Sequence, residues 1–69
     1  MPERLDNTLR AAREGKGWTQ AQLADAIGVS RKTVNTVENG VFVPSTIIAL
    51  KLAQALGQPV EALFRIVEE

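Results

Sequence analysis

The chain has 69 residues, 45% of them hydrophobic, and its eight Lys plus Arg balance eight Asp plus Glu. At that length one compact domain, spanning 1–69, is expected and no second, near the size where a lone core is only marginally stabilising. With no cysteine and no histidine, a disulfide framework, a thiolate or imidazole zinc site, and any Cys-His or Ser-His catalytic pair are excluded by inventory.

The opening MPERLDNTLR is charged from its third residue and lacks the apolar stretch of a signal peptide. No apolar run approaches the roughly 18 residues of a membrane span. The expectation is a cytoplasmic protein without a membrane partner. The carboxylates are dispersed, with no pair standing out as a general acid and base, so neither enzymatic activity nor a metal or other cofactor is expected. Residues 1–35 hold six bases against four acids, and the remainder holds two against four. This mild asymmetry is within what solvated charges show in ordinary domains.

Leu5, Leu9 and Ala12 recur at i, i+4, i+7 and predict a first helix over about 4–14 with one buried stripe. Trp18 precedes Thr19-Gln20-Ala21-Gln22, a capping box that opens a second helix. Leu23, Ala24 and Ile27 form its buried face, and Gly28 ends it. Ser30 is a good N-cap for a third helix running to about Asn39 and stopped by Gly40. Val34 and Val37 lie on one side of that helix, and Arg31, Lys32, Asn35, Thr36 and Asn39 on nearly the opposite side. After VFVP, Ser45 caps a fourth helix through about Leu56, and Pro59 opens a short fifth, PVEALF. No segment alternates long enough to read as a sheet strand.

Two helices joined by a tight Gly-containing turn, with small Ala24 where they approach, carry the signature of a helix-turn-helix over about 19–40. LRAAREGKGWTQAQLADAIGVSRKTVNTVENG and PSTIIALKLAQALGQPVEALF resemble the phage-repressor-like (Cro/C1, Xre-type) regulator family across residues 9–64. The resemblance implies an all-α, lambda-repressor-like bundle of five helices. It also implies a regulator of transcription that binds double-stranded DNA. Some of the smallest family members end with a short strand where FRIV lies.

A helix N-terminus offers free N–H groups and a positive dipole end, so Gln20, with Thr19 beside it, is expected to contact phosphate, as are Ser30 and Asn39. Arg31, Lys32, Asn35 and Thr36 are expected in the major groove. There Arg or Lys suits guanine, Asn suits adenine, and the Thr methyl meets thymine. Trp18 stands where the family usually has an apolar residue and is expected to pack in the core. The resemblance pairs Arg13 with Glu38 as a structural ion pair. The loop VFVP departs from the family's basic or polar pattern, leaving only backbone N–H groups for phosphate, and Ile47 adds to an apolar neighbourhood.

The expected assembly is a homodimeric repressor on a palindromic operator, with half-sites about 34 Å apart. Residues 59–67 are its expected dimerisation segment, through Val60, Leu63, Phe64 and Ile66. The alternative is a protein-interaction module of the same fold, an antitoxin or regulator partner, using the apolar loop 41–47.

Overall fold

The computed structural model describes residues 2–68; Met1 and Glu69, the ends of the domain drawn from the sequence, lie outside the described residues. In chain order the elements are β1 (Glu3–Asn7), α1 (Leu9–Gly15), α2 (Gln20–Ile27), α3 (Arg31–Glu38), α4 (Thr46–Leu56), α5 (Val60–Leu63) and β2 (Phe64–Glu68). Five helices pack around one core, and the first and last elements pair as a two-stranded antiparallel ribbon.

The helix starts follow from local hydrogen bonding. Thr19 accepts from the Gln22 N–H at 3.1 Å while the Gln22 side chain accepts from the Thr19 N–H at 2.8 Å, so the capping box forms as expected. Ser30 and Ser45 cap α3 and α4 through the N–H groups of Thr33 and Ile48. Gly28, at φ 73°, takes the left-handed conformation that turns α2 toward α3. Leu9, Leu23, Val34, Val37, Leu52 and Leu63 are the largest fully buried side chains, one or more from each helix. Trp18 packs half-buried against this core.

Two expectations are corrected at the ends of the chain. The first helix begins at Leu9, because residues 3–7 are extended and pair with β2 in the register Glu3↔Glu68 to Asn7↔Phe64. Leu5 has helical spacing to Leu9, but it lies opposite Ile66 in the ribbon. At the junction, Asn7 Oδ1 accepts the Leu9 N–H at 3.0 Å and the Thr8 N–H bonds the Leu63 carbonyl at 2.9 Å. The strand thus stops where α1 starts. The second correction concerns the expected dimerisation segment: Leu63 and Phe64 are buried in the chain's own core and Val60 is half-buried, whereas Ile66 is exposed on β2. The short α5 drives its apolar side chains inward to complete a core that four longer helices leave open.

Candidate nucleic-acid interface

α3 is amphipathic in the expected sense. Val34 and Val37 are buried, while Arg31, Lys32, Asn35 and Asn39 are exposed. Among the described residues, neither the Arg31 nor the Lys32 side chain has a hydrogen-bond or ion-pair partner, so two cationic heads stand at the first turn of α3, open to a ligand. Asn35 and Thr36 are more engaged. Asn35 Oδ1 accepts from Gln20 Nε2 at 3.2 Å and from Asn39 Nδ2 at 3.1 Å. The Thr36 hydroxyl is turned back on the carbonyls of Lys32 and Thr33, both at 3.0 Å, leaving its methyl as the group to present. Bidentate recognition of adenine needs both ends of an Asn amide, and here the oxygen end is occupied.

Beneath this face lies an ionic network that fixes the pose of α3. The Glu38 side chain is 0% exposed and that of Arg13 only 10%. Arg13 Nε donates to Glu38 Oε2 at 2.6 Å, its Nη2 to Oε1 at 3.3 Å, and its Nη1 to the Trp18 carbonyl at 2.7 Å. The resemblance-based pair is therefore a bidentate, desolvated bridge tying α1, the α1–α2 loop and α3 together. Burial pushes the Glu38 carboxyl up, but hydrogen bonds from Arg13 and Gln20 and the charge of Arg13 outweigh it and hold the group below its ordinary range. The Glu38 hydrogen bond in turn raises Arg13.

Two members of the network escaped the sequence reading. Gln20 Nε2 donates to Glu38 Oε1 at 3.1 Å as well as to Asn35, so its amide faces inward, and any phosphate contact by Gln20 falls to its backbone. Arg10 approaches Glu38 Oε1 at 3.5 Å from the solvent side; its position three residues before Arg13, on the same face of α1, is the signal that points to it. Asn7 adds a further brace, its Nδ2 donating to the Val37 carbonyl at 3.0 Å near the end of α3.

The other expected phosphate contacts stand at helix ends on the surface. Thr19 and Ser30 each use their hydroxyl oxygen as a cap acceptor, and Ser30 also shares a proton with Thr33 at 2.9 Å. Asn39 is exposed, with one amide proton committed to Asn35. Gly40, at φ 73°, closes α3: its N–H bonds Val37 and the N–H of Val41 bonds Thr36. The Phe42 N–H also turns to the Thr36 carbonyl, at 3.2 Å. The backbone donors of Val41 and Phe42, expected to serve phosphate, are thus consumed in ending the helix.

The order of these elements, with α2 capped by Thr19, turned at Gly28 and followed by an α3 whose polar face is outward, agrees with a sequence profile. The profile of the helix-turn-helix family matches residues 9–63. The chain belongs to the Cro/C1-type helix-turn-helix family. This is a family of DNA-binding transcriptional regulators. The helix-turn-helix chain is 35% identical over 65 residues to the HTH-type transcriptional regulator YgzD of Bacillus subtilis (strain 168), covering 94% of this chain and 98% of that one. It is 33% identical to antitoxin HipB of Escherichia coli (strain K12), over 80% of this chain and 62% of that protein. Among solved structures, the restriction-modification controller protein C.AhdI from Aeromonas hydrophila superposes with a TM-score of 0.74 at 39% identity, covering 78% of this chain and 82% of that chain. No described helix is long and apolar enough to cross a membrane.

Proposed function

We propose that this chain is a cytoplasmic homodimeric repressor that inserts α3 into the major groove of a palindromic operator. The observation that carries this reading is the pair of exposed cations at the start of α3, Arg31 and Lys32, presented by a helix whose opposite face is locked to the core through Arg13, Glu38 and Gln20. Arg31 and Lys32 supply donors for guanine O6 and N7, and Thr36 offers its methyl to thymine. Asn35, with its oxygen engaged, retains an amino group for a single acceptor on a base edge. The α2 N-terminus at Gln20, with Thr19, Ser30 and Asn39, sets the protein on the phosphates. Two copies on one face of the duplex double a contact set that is small in a single chain.

Selection of bound duplexes from a random pool tests the reading. Recovery of a two-fold symmetric site supports it, and affinity should fall steeply with salt as phosphate counterions are released. Enrichment of no sequence, with binding insensitive to salt, would remove it. A second reading, a protein-interaction module, is favoured by the exposed side chains of Val41, Val43 and Ile47 and by the likeness to antitoxin HipB. Arg31 and Lys32 have no role in that reading, so their replacement would leave such an interaction intact.

A further inference from the structure

The apolar surface of this chain is concentrated on one side. Val41 is 78% exposed, Ile47 67% and Ile66 68%, and Phe42, Val43 and Leu50 are exposed as well. Scattered exposed apolar residues are ordinary in soluble proteins, but contiguous ones are not. These are contiguous: Phe42 and Val43 line one cleft with Leu5 and Phe64, and Pro44 and Leu50 line a second cleft that shares the same Leu5 and Phe64. Ile66 stands directly opposite Leu5 on the same face of the ribbon, and Ile47 precedes Leu50 by less than one turn of α4.

We infer that a second copy of this chain docks here across a two-fold axis, on the face formed by residues 41–44, by Ile47 and Leu50 of α4, and by Leu5 and Ile66 of the ribbon. The inference rests on the homodimer proposed above and assigns its surface, in place of Leu63 and Phe64. Three observations select a second copy as the occupant. The six exposed residues present on the order of 600 Å² per chain, so a symmetric pairing that covered them fully would remove at most about 1,200 Å², the lower end of stable specific interfaces. A two-fold interface must be self-complementary, and this face carries both halves: protruding Val43 and Ile47 beside the apolar cleft between the ribbon and α4. The chain's formal net charge is +0, so two copies approach without long-range repulsion. DNA is a poor occupant of the same face, because residues 41–44 carry no cation and the Val41 and Phe42 N–H groups are already bonded. The face continues from Gly40, so pairing there also fixes the separation of the two α3 helices.

The test is mass by sedimentation equilibrium at micromolar concentration. Wild type is expected at twice the 7.5 kDa of one chain, and Ile47→Glu and Val43→Lys at 7.5 kDa or with a dimer dissociation constant raised at least about tenfold. Both residues are exposed, and far-UV circular dichroism of each variant reports whether the helices remain. Because the chain has no cysteine, Ile47→Cys carries a lone thiol, and mild oxidation is expected to yield a covalent dimer that retains its helix. Dimeric variants without thiol cross-linking would move the interface elsewhere and overturn the inference. A monomeric wild type would overturn it together with the homodimer and leave the face to a partner protein. A wild-type dimer that binds no DNA would instead sink the DNA-binding function while leaving the interface standing.

Discussion

Replacing Glu38 by Ala should destabilise the protein far more than its place near the end of a surface helix suggests. The substitution leaves the Arg13 guanidinium, 10% exposed, with one fixed acceptor, the Trp18 carbonyl, and strips Gln20 of its Glu38 bond. Removing one partner of a buried pair costs about 3–5 kcal/mol, because the remaining charge stays desolvated. The contact from Arg10, long and largely in water, adds little to the pair itself. Some relaxation of Arg13 toward solvent puts the expected loss near the low end, about 3 kcal/mol. For a domain of this size that corresponds to a fall in Tm of about 12–24 °C.

A circular dichroism melt at neutral pH reads this directly, and the pH dependence supplies an internal check. The Glu38 carboxyl is held below its ordinary 4.5 in the folded protein. The stability it contributes is therefore complete above that value and lost as pH falls through the lower folded pKa. The gap between wild type and the Glu38→Ala variant should be widest near neutrality and close on acidification. Glu38→Gln keeps an acceptor for Arg13 and should lie between the two. A neutral-pH Tm within about 4 °C of wild type, worth less than about 1 kcal/mol, would show that Arg13 finds water without cost and that the network does not set the pose of α3.

Arg31→Ala and Lys32→Ala should each lose about 1–3 kcal/mol on the preferred duplex and relax base choice locally, whereas Gln20→Ala, which keeps its backbone N–H but loses the amide bonds to Glu38 and Asn35, should lower the melt and leave base choice unchanged; fluorescence anisotropy on matched and scrambled duplexes, beside a thermal melt, separates the two patterns. Leu63→Ala should cost about 2–5 kcal/mol, and Phe64→Asp should abolish the cooperative melt, because both side chains belong to the monomer core; a folded monomeric Phe64→Asp variant would restore them to the dimer surface. Asp6→Asn should loosen the ribbon without touching the helices, read as faster amide exchange confined to residues 3–7 and 64–68. The Arg65 hydrogen bond holds the Asp6 carboxyl below its ordinary 3.8, so acidification of wild type below that value should also loosen the ribbon, on top of the loss at Glu38.

The parts of the fold that could be read from the sequence are those whose causes are local. Thr19 and Gln22 lie within one turn, as do Ser30 and Thr33, and such bonds need no partner from elsewhere in the chain. β1 was illegible for the opposite reason. Leu5 spaced four residues from Leu9 satisfies a helical template, and only β2, at the far end of the chain, selects the extended conformation. The final strand at FRIV came from family resemblance, and its partner did not. At the candidate site, residue type revealed Arg31 and Lys32 but not how much of Asn35, Thr36 and Gln20 remains available, because hydrogen-bond commitments depend on side-chain direction. Leu63 and Phe64 show the same limit for apolar residues: their abundance indicates burial without saying whose core they fill.

The ribbon has a consequence for the order in which this protein forms. α2 with α3, and α4 with α5, meet as neighbours in sequence, and contacts between such neighbours form faster than distant strand pairing. The Arg65–Asp6 bond joins residues 59 positions apart, and β2 follows every other described element in the chain. During synthesis α3 therefore leaves the ribosome before the strand that pairs with β1. The loop-closure cost of that pairing falls on a bundle whose helices have already drawn the ends together. The ribbon acts as a clasp, and its closing brings Asn7 against the Val37 carbonyl and steadies the last turn of α3. A nascent chain halted before Phe64 would carry α3 without that final brace.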